Sequence, residues 1–418
     1  MQYINQSLVS EIRQKFCNVN TCPISGDRIF FENAGGALTL KSALETTTKF
    51  ASIPDNQGRD NAASKALNDV IKNAKSDLSA LFNTQSGEFF MGESGTELLF
   101  RLIRNAVLAS PSGGSIVGTS LEHPASRSAA KKWSNEMEYT YLSVPHCVKT
   151  GTVDPKNYAS KISDTTRVVT IVHASPVTGM GTKIKEISKI VRQKAPLAFI
   201  IVDGIQHAAH GGIDIESYDI DGYVISPYKM FSRHGFGLAW VSDRLRTAPH
   251  EKLDGGPSDN WELGTRDTGA YATMSDVKEY MCWLGKEFTK NNDSREQIKA
   301  AGAAIQDYER KMTDTLLHGL DNLKGLADFE DVEIIGGLNN SSREGLVSFR
   351  IKDYPSEKIV RYLNNQGIRT HTRKCDHYSE NILKPLGWDD CVRVSICHYN
   401  TLSEIKKFLS CMAAFRDK

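Results

Sequence analysis

Apolar and polar residues along this chain follow two periods in alternation. Residues 61–81 (NAASKALNDVIKNAKSDLSAL) place Ala, Leu, Val and Ile at mixed three- and four-residue spacing, which predicts an amphipathic helix. Residues 115–119 (SIVGT), 167–173 (RVVTIVH), 197–203 (LAFIIVD) and 222–226 (GYVIS) are short β-branched runs, each ending in small or polar residues. A helical pattern over 184–194 lies between two of them. Strands that are apolar throughout and separated by helices predict a mostly parallel sheet covered on both faces. After about residue 270 the pattern changes. A long helix and its continuation are predicted over 278–323. The runs VEIIGGL, GLVSFRI, GIRTHT and VRVSIC then alternate with helices at 356–365 and 402–415. The expected organisation is a large α/β domain over 26–275 and a smaller α+β domain over 276–418, with an N-terminal arm over 1–25 belonging to the smaller one.

Charge narrows the partners. The chain has 418 residues, with 51 Lys+Arg against 50 Asp+Glu, so it has no basic field for nucleic acid or an anionic membrane. No apolar run approaches the roughly 18–20 residues of a membrane helix, and the first residues mix acid and base with no apolar segment, so no signal peptide is visible. A soluble cytoplasmic protein is expected. Eight cysteines lie at 17, 22, 147, 282, 375, 391, 397 and 411. None forms a CxxC pair or a Cys/His spacing of a zinc site, so no metal is expected and reduced thiols are the default.

The informative stretch is 199–241, FIIVDGIQHAAHGGIDIESYDIDGYVISPYKMFSRHGFGLAWV. One buried strand ends in Asp203. The next ends in Ser226-Pro-Tyr-Lys229, and a loop with Gly235 and Gly237 leads into another strand. In open α/β sheets ligands bind outside the carboxyl ends of the strands, which aims Asp203 and Lys229 at one site. A lysine amine that forms a Schiff base, with a carboxylate to pair the pyridinium nitrogen, is what pyridoxal phosphate chemistry requires. A surface lysine with a turn aspartate is the alternative reading of the same spacing.

The string VDGIQHAAHGGIDIESYDIDGYVISPYK…GFG resembles the cofactor-lysine region of the class V aminotransferase superfamily, which includes cysteine desulfurases and other carbon–sulfur lyases. Further elements resemble the family in the same order: NAGG at 33–36, SGTE at 94–97, EHPAS at 122–126, WELGT at 261–265 and VRVSICHYNT at 392–401. The resemblance implies the fold of the type I pyridoxal-phosphate enzymes (aspartate aminotransferase-like), an L-amino acid substrate and a homodimer. It implies Lys229 as Schiff-base lysine and proton shuttle, Asp203 at the pyridinium nitrogen, Gln206 at the phenolic oxygen and His123 over the ring face. Gly95, Thr96, Ser226 and Tyr228 would take the phosphate, and Gly264 and Thr265 would reach the phosphate of a partner subunit. Arg393 would clamp the substrate carboxylate, with Asn33 beside it.

The sequence also departs from the family. Cys375 falls one residue out of register with the cysteine of the desulfurase loop, amid Arg369, Arg373, Lys374 and His377. It reads either as a persulfide nucleophile, favoured by neighbouring cations, or as an incidental loop cysteine. A histidine usual before the lysine is Tyr228, and the Gly-Pro usual after it is replaced by Ser232-Arg233-His234. Arg233 therefore becomes a further substrate-binding residue to consider. The expected activity is cysteine desulfurase-like cleavage of a carbon–sulfur bond. Transamination, epimerisation or decarboxylation on the same cofactor is the first alternative, and a non-catalytic scaffold is the second.

Overall fold

The computed structural model describes residues 3–416. Helix α1 (Gln6–Lys15) opens the chain, and helix α2 (Ala62–Phe82) follows within a residue of its predicted span. Asn61 caps α2 by accepting from the Ser64 amide at 2.8 Å, and Asn83 ends it in the left-handed region at φ 51°. Strands and helices then alternate: β1 (Glu88–Gly92), α3 (Gly95–Leu108), β2 (Ser115–Thr119), α4 (Pro124–Glu136), β3 (Thr140–Val144), β4 (Thr166–Val172), α5 (Ile184–Lys194), β5 (Phe199–Asp203), β6 (Gly222–Ile225) and β7 (Gly237–Val241).

Among the described residues these seven strands form one sheet in the order β1-β7-β6-β5-β4-β2-β3. Only β7 runs against its neighbours, so the mostly parallel sheet expected from the pattern is present. Neighbouring residues in a strand face opposite sides. Ile116, Val168, Ile201 and Val224 accordingly pack under α3 with Leu98, Leu99 and Leu102, while Val117, Val169, Val202 and Ile225 join a core with Leu78, Leu81 and Ile187 on the other face. Two apolar faces are why these strands read as continuous runs. Strands β1 and β3, which the pattern did not announce, lie at the edges of the sheet.

Helix α6 (Thr268–Lys286) begins ten residues before the predicted start at 278, and helix α7 (Ser294–His318) is separate from it. The break falls at an Asn-Asn-Asp run, where Asp293 caps α7 by accepting from the Glu296 amide at 3.0 Å. The expected boundary at 275/276 therefore lies inside α6, which packs against both α2 and α7. Strands β8 (Val332–Ile334), β9 (Leu346–Ile351), β10 (His371–Lys374) and β11 (Asp390–Ser395) form an antiparallel sheet ordered β8-β9-β11-β10. The GIRTHT strand is divided. Ile368–Arg369 pairs in parallel with Ile29–Phe30, and only His371 onward joins the sheet as β10. Residues 29–30, beyond the expected arm, thus belong to a separate two-stranded sheet beside the smaller one, and the Asn33 side-chain amide donates to the Ser395 carbonyl at 2.7 Å. Helix α1 is tied to the same region, with Arg13 donating to the Tyr399 carbonyl at 2.7 Å. No helix among the described residues is long and apolar enough to cross a membrane.

Candidate active site

Strands β4, β5 and β6 end on one edge of the large sheet, and their carboxyl ends, with the segments that follow β1 and β2, border a cavity of about 70 Å³. Thr96, His123, Asp203, Gln206, Ser226, Tyr228 and Lys229 all line it. The sequence had placed these seven together by strand ends and resemblance; the structure brings them into one chamber.

Lys229 arrives there by a tight turn after β6, its amide bonded to the Ser226 carbonyl at 2.8 Å. Its Nζ donates to Gln206 Oε1 at 3.3 Å. Burial, reinforced by the positive charges of Arg393 and Arg373 and opposed by Asp203, pulls the lysine pKa down to about 7. Asp203 is pushed the other way. Burial raises it to about 6, although the Ile205 amide donates to it at 3.1 Å and Lys229 lies near. Behind it Glu122, buried and within the field of Asp203, rises to about 8 and so holds its proton at neutral pH.

The wall opposite the lysine is built by close approach. A Cβ on Gly95 would lie 2.5 Å from Ser226 Oγ, and one on Gly237 would lie 2.4 Å from the Ser94 carbonyl carbon. The two glycines let the end of β6, the start of β7 and the first turn of α3 meet. Ser94 caps that helix by accepting from the Glu97 amide at 3.1 Å. The earlier amides of the 14-residue helix are left for an anion.

His123 caps α4, its Nδ1 accepting from the Ala125 amide at 3.2 Å. That bond fixes the neutral tautomer with the proton on Nε2. Burial and the charge of Lys229 lower the imidazole to about 4, so it stays neutral.

The smaller sheet contributes cations. Arg393 on β11 is buried, with one guanidinium nitrogen donating to the Pro176 carbonyl at 3.0 Å and its Nε without a partner. Burial and the like charge of Arg373 bring it down to about 9. Arg373 on β10 likewise has an unpartnered buried Nε. Two guanidinium forks with donors to spare suit a carboxylate. The turn after β10 rests on α4: Asn381 donates to the Ser120 carbonyl at 2.5 Å, Arg127 donates to the His377 carbonyl at 2.9 Å, and the rings of Tyr378 and His123 are 6.0 Å apart.

Seven of the expected residues do not line the cavity: Gly95 and Arg393, described above, and Asn33, Arg233, Cys375, Gly264 and Thr265. The Asn33 side chain bonds the Ser395 carbonyl and the Tyr399 hydroxyl, which ties its segment to the smaller sheet. Arg233 pairs with Asp267 and lies over the Phe236 ring at 5.1 Å. Cys375 is exposed, its amide held by the Asp389 carbonyl at 2.8 Å. Thr265 lines a separate surface pocket with Asn56, Gln57 and Arg266, and Gly264 precedes it at φ 76°. Tyr228 lines the cavity while stacking on His234 at 4.1 Å. Sequence reasoning missed Glu122 and the inward role of Arg373. It also missed a buried chain from Gln206 through His210 to Glu309. Gln206 and His210 lie in the motif region, but Glu309 is about a hundred residues away and no local pattern joins it to them.

A model of the aminotransferase class-V family matches residues 29–408. The chain belongs to that family. Its members depend on pyridoxal phosphate, and its homologues are enzymes. Among class-V relatives, the cysteine desulfurase-like protein ustD of Aspergillus flavus is 27% identical over 403 residues, covering 93% of this chain and 87% of that protein. A cysteine desulfurase of Haloferax volcanii is 26% identical over 324 residues, covering 73% of this chain and 68% of that one. Of solved structures, the apo cysteine desulfurase from Thermococcus onnurineus superposes with a TM-score of 0.81 at 19% identity, over 99% of this chain and 98% of that one. The class-V chain therefore has the type I fold of pyridoxal-phosphate enzymes.

Proposed function

We propose that this chain is a pyridoxal-phosphate-dependent enzyme that acts on an L-amino acid and cleaves a carbon–sulfur bond at its β carbon. One observation carries the reading: a half-buried lysine, its pKa drawn down to about 7, lines one cavity with Asp203 and lies in the field of Arg393. The residues fit the cofactor. Gly95, Thr96 and Ser226 would hold its phosphate where a Cβ has no room. Asp203 would hold its pyridinium nitrogen, Gln206 its phenolic oxygen, Lys229 its aldehyde carbon and His123 one ring face. When bound, the cofactor draws electrons from the bonds to the substrate Cα.

The remaining work falls to the chain's own groups. Arg393 grips the α-carboxylate with the nitrogens not used by Pro176. Lys229 takes the Cα proton on Nζ, and His123 holds a proton on Nε2 for the departing sulfur. Glu122, protonated at neutral pH, adds no second negative charge beside Asp203. The smaller sheet and its turn act as the closing part over the large sheet. Gly264 and Thr265, outside this cavity, would serve the phosphate of a second subunit in a homodimer.

Protein supplied with cofactor should show a band at the edge of the visible that borohydride removes and Lys229→Ala lacks. With L-cysteine it should release sulfide and pyruvate. A cofactor-supplemented protein with no such band overturns the reading. A second reading, sulfur transfer to Cys375 with alanine as product, is favoured by the turn's position over His123. The exposure of Cys375 speaks for the first.

A further inference from the structure

The Gln206 amide faces two ways. Its Oε1 accepts from Lys229 at 3.3 Å, while its Nε2 lies 3.2 Å from Nε2 of His210. Nδ1 of His210 is in turn 2.7 Å from Glu309 on α7. Gln206, His210 and Glu309 are buried, and Glu309 keeps its second oxygen unpartnered. Beyond them is a second cavity of about 310 Å³, lined by His207, His210, Glu309, Arg310 and Glu344 among others, which shares no lining residue with the Lys229 cavity.

An amide has a donor end and an acceptor end, and a neutral imidazole has one of each. With His210 Nδ1–H donating to Glu309, its Nε2 accepts from Gln206, and the amide shows its oxygen to Lys229. That is the arrangement found. A proton on His210 Nε2 makes both nitrogens donors. The amide must then turn, giving its oxygen to His210 and its NH₂ to the cavity.

We propose that His210 and Glu309 are a positioning pair that sets, through Gln206, whether the cavity meets a hydrogen-bond acceptor or a donor. The inference rests on the cavity being the pyridoxal phosphate site. The acceptor end suits a free ammonium on Lys229, and the donor end suits the cofactor's phenolic oxygen. Burial opposes charge on His210, but Glu309 and, farther off, Glu344 outweigh it and raise the imidazole above its ordinary value, while Lys229 acts against them. The Cys397 thiol, pushed up by burial, and His398, lowered to about 3, add no charge beside the pair. Bound cofactor would present its phenolic oxygen, an acceptor, to Gln206 in place of the Lys229 ammonium, which favours the turned amide. The rear cavity lets the pair exchange protons with solvent without crossing the substrate's path.

The test is a pH titration of the visible band in the cofactor-loaded enzyme. A donor to the phenolic oxygen stabilises its negative charge and lowers the midpoint. Glu309→Gln should therefore raise the midpoint by about one pH unit, the worth of one charge-assisted hydrogen bond. Glu309→Asp should bring it back towards the wild-type value. In a Gln206→Ala background Glu309→Gln should move it no further. His210→Gln, which cannot carry the proton, gives the same readout should Glu309→Gln fail to fold. An unmoved midpoint in a folded, loaded variant overturns the proposal. An equal shift in the Gln206→Ala background also overturns it, because the charge would then act directly. A wild-type protein with no band sinks the cofactor reading itself, a separately visible outcome.

Discussion

Between Asp203 and Lys229 the chain leaves one buried parallel strand and returns at the end of the next, whereas between Arg369 and Asn381 it runs from an antiparallel strand into an exposed turn. In the first stretch Asp203 is buried and Lys229 half-buried, and their pKa values move towards each other, Lys229 down to about 7 and Asp203 up to about 6. In the second Arg373 is the one cation whose charge reaches the cavity's lysine, while Lys374, Cys375 and His377 face solvent. The burial that makes a group chemically unusual also fixes its place in the sheet. Residues in the turn are held instead by a few side-chain bonds to main-chain carbonyls, so their identities follow geometry less closely.

Substitutions can press on this contrast. Lys229→Ala should cost the most, at least about 10³-fold in kcat, measured on cofactor-loaded protein, because it removes the proton-transfer group itself. Residual activity near the wild-type level would mean that the buried stretch is not the reacting one. Arg393→Ala should cost about 10- to 100-fold in kcat/KM, the value of a charge-assisted contact to the carboxylate. The pH dependence comes next. In cofactor-free protein, labelling of Lys229 by an amine-directed reagent should fall about tenfold per pH unit below 7, since only the unprotonated amine reacts and its pKa lies near 7. Arg373→Ala removes one repelling charge, so the labelling midpoint should move up, towards that of an ordinary lysine. Cys375→Ala should change sulfide release by no more than about twofold, as for an exposed side chain away from the chemistry. A complete loss would transfer the decisive role to the turn.

Much of the large sheet could be read from the chain because its strands are buried on two faces and so run apolar without interruption. Helix α2 was legible from its periodicity and its Asn61 cap, and α5 from its periodicity. The start of α6 was not, since Thr268–Val277 is buried almost all round and leaves no polar stripe to mark a period. In the site, residues at strand ends and helix starts were legible because topology sends them to one edge. The bonds that Asn33 makes between two parts of the fold were not legible, since in sequence such a side chain looks like one kept for a ligand. Arg373 and Glu309 were hidden for the opposite reason: each enters the site's field from an element far along the chain, where no local spacing points inward.

The turn over His123 is held down by Asn381 reaching the carbonyls of Ser120 and Glu122, and by Arg127 reaching that of His377. All three acceptors are main-chain oxygens, which every residue type supplies. The side chains at 120, 122 and 377 can therefore be exchanged without undoing the contact that closes the turn. A lineage of such proteins could retune what enters the chamber while inheriting the same closure, so substrate choice and lid attachment are free to diverge independently.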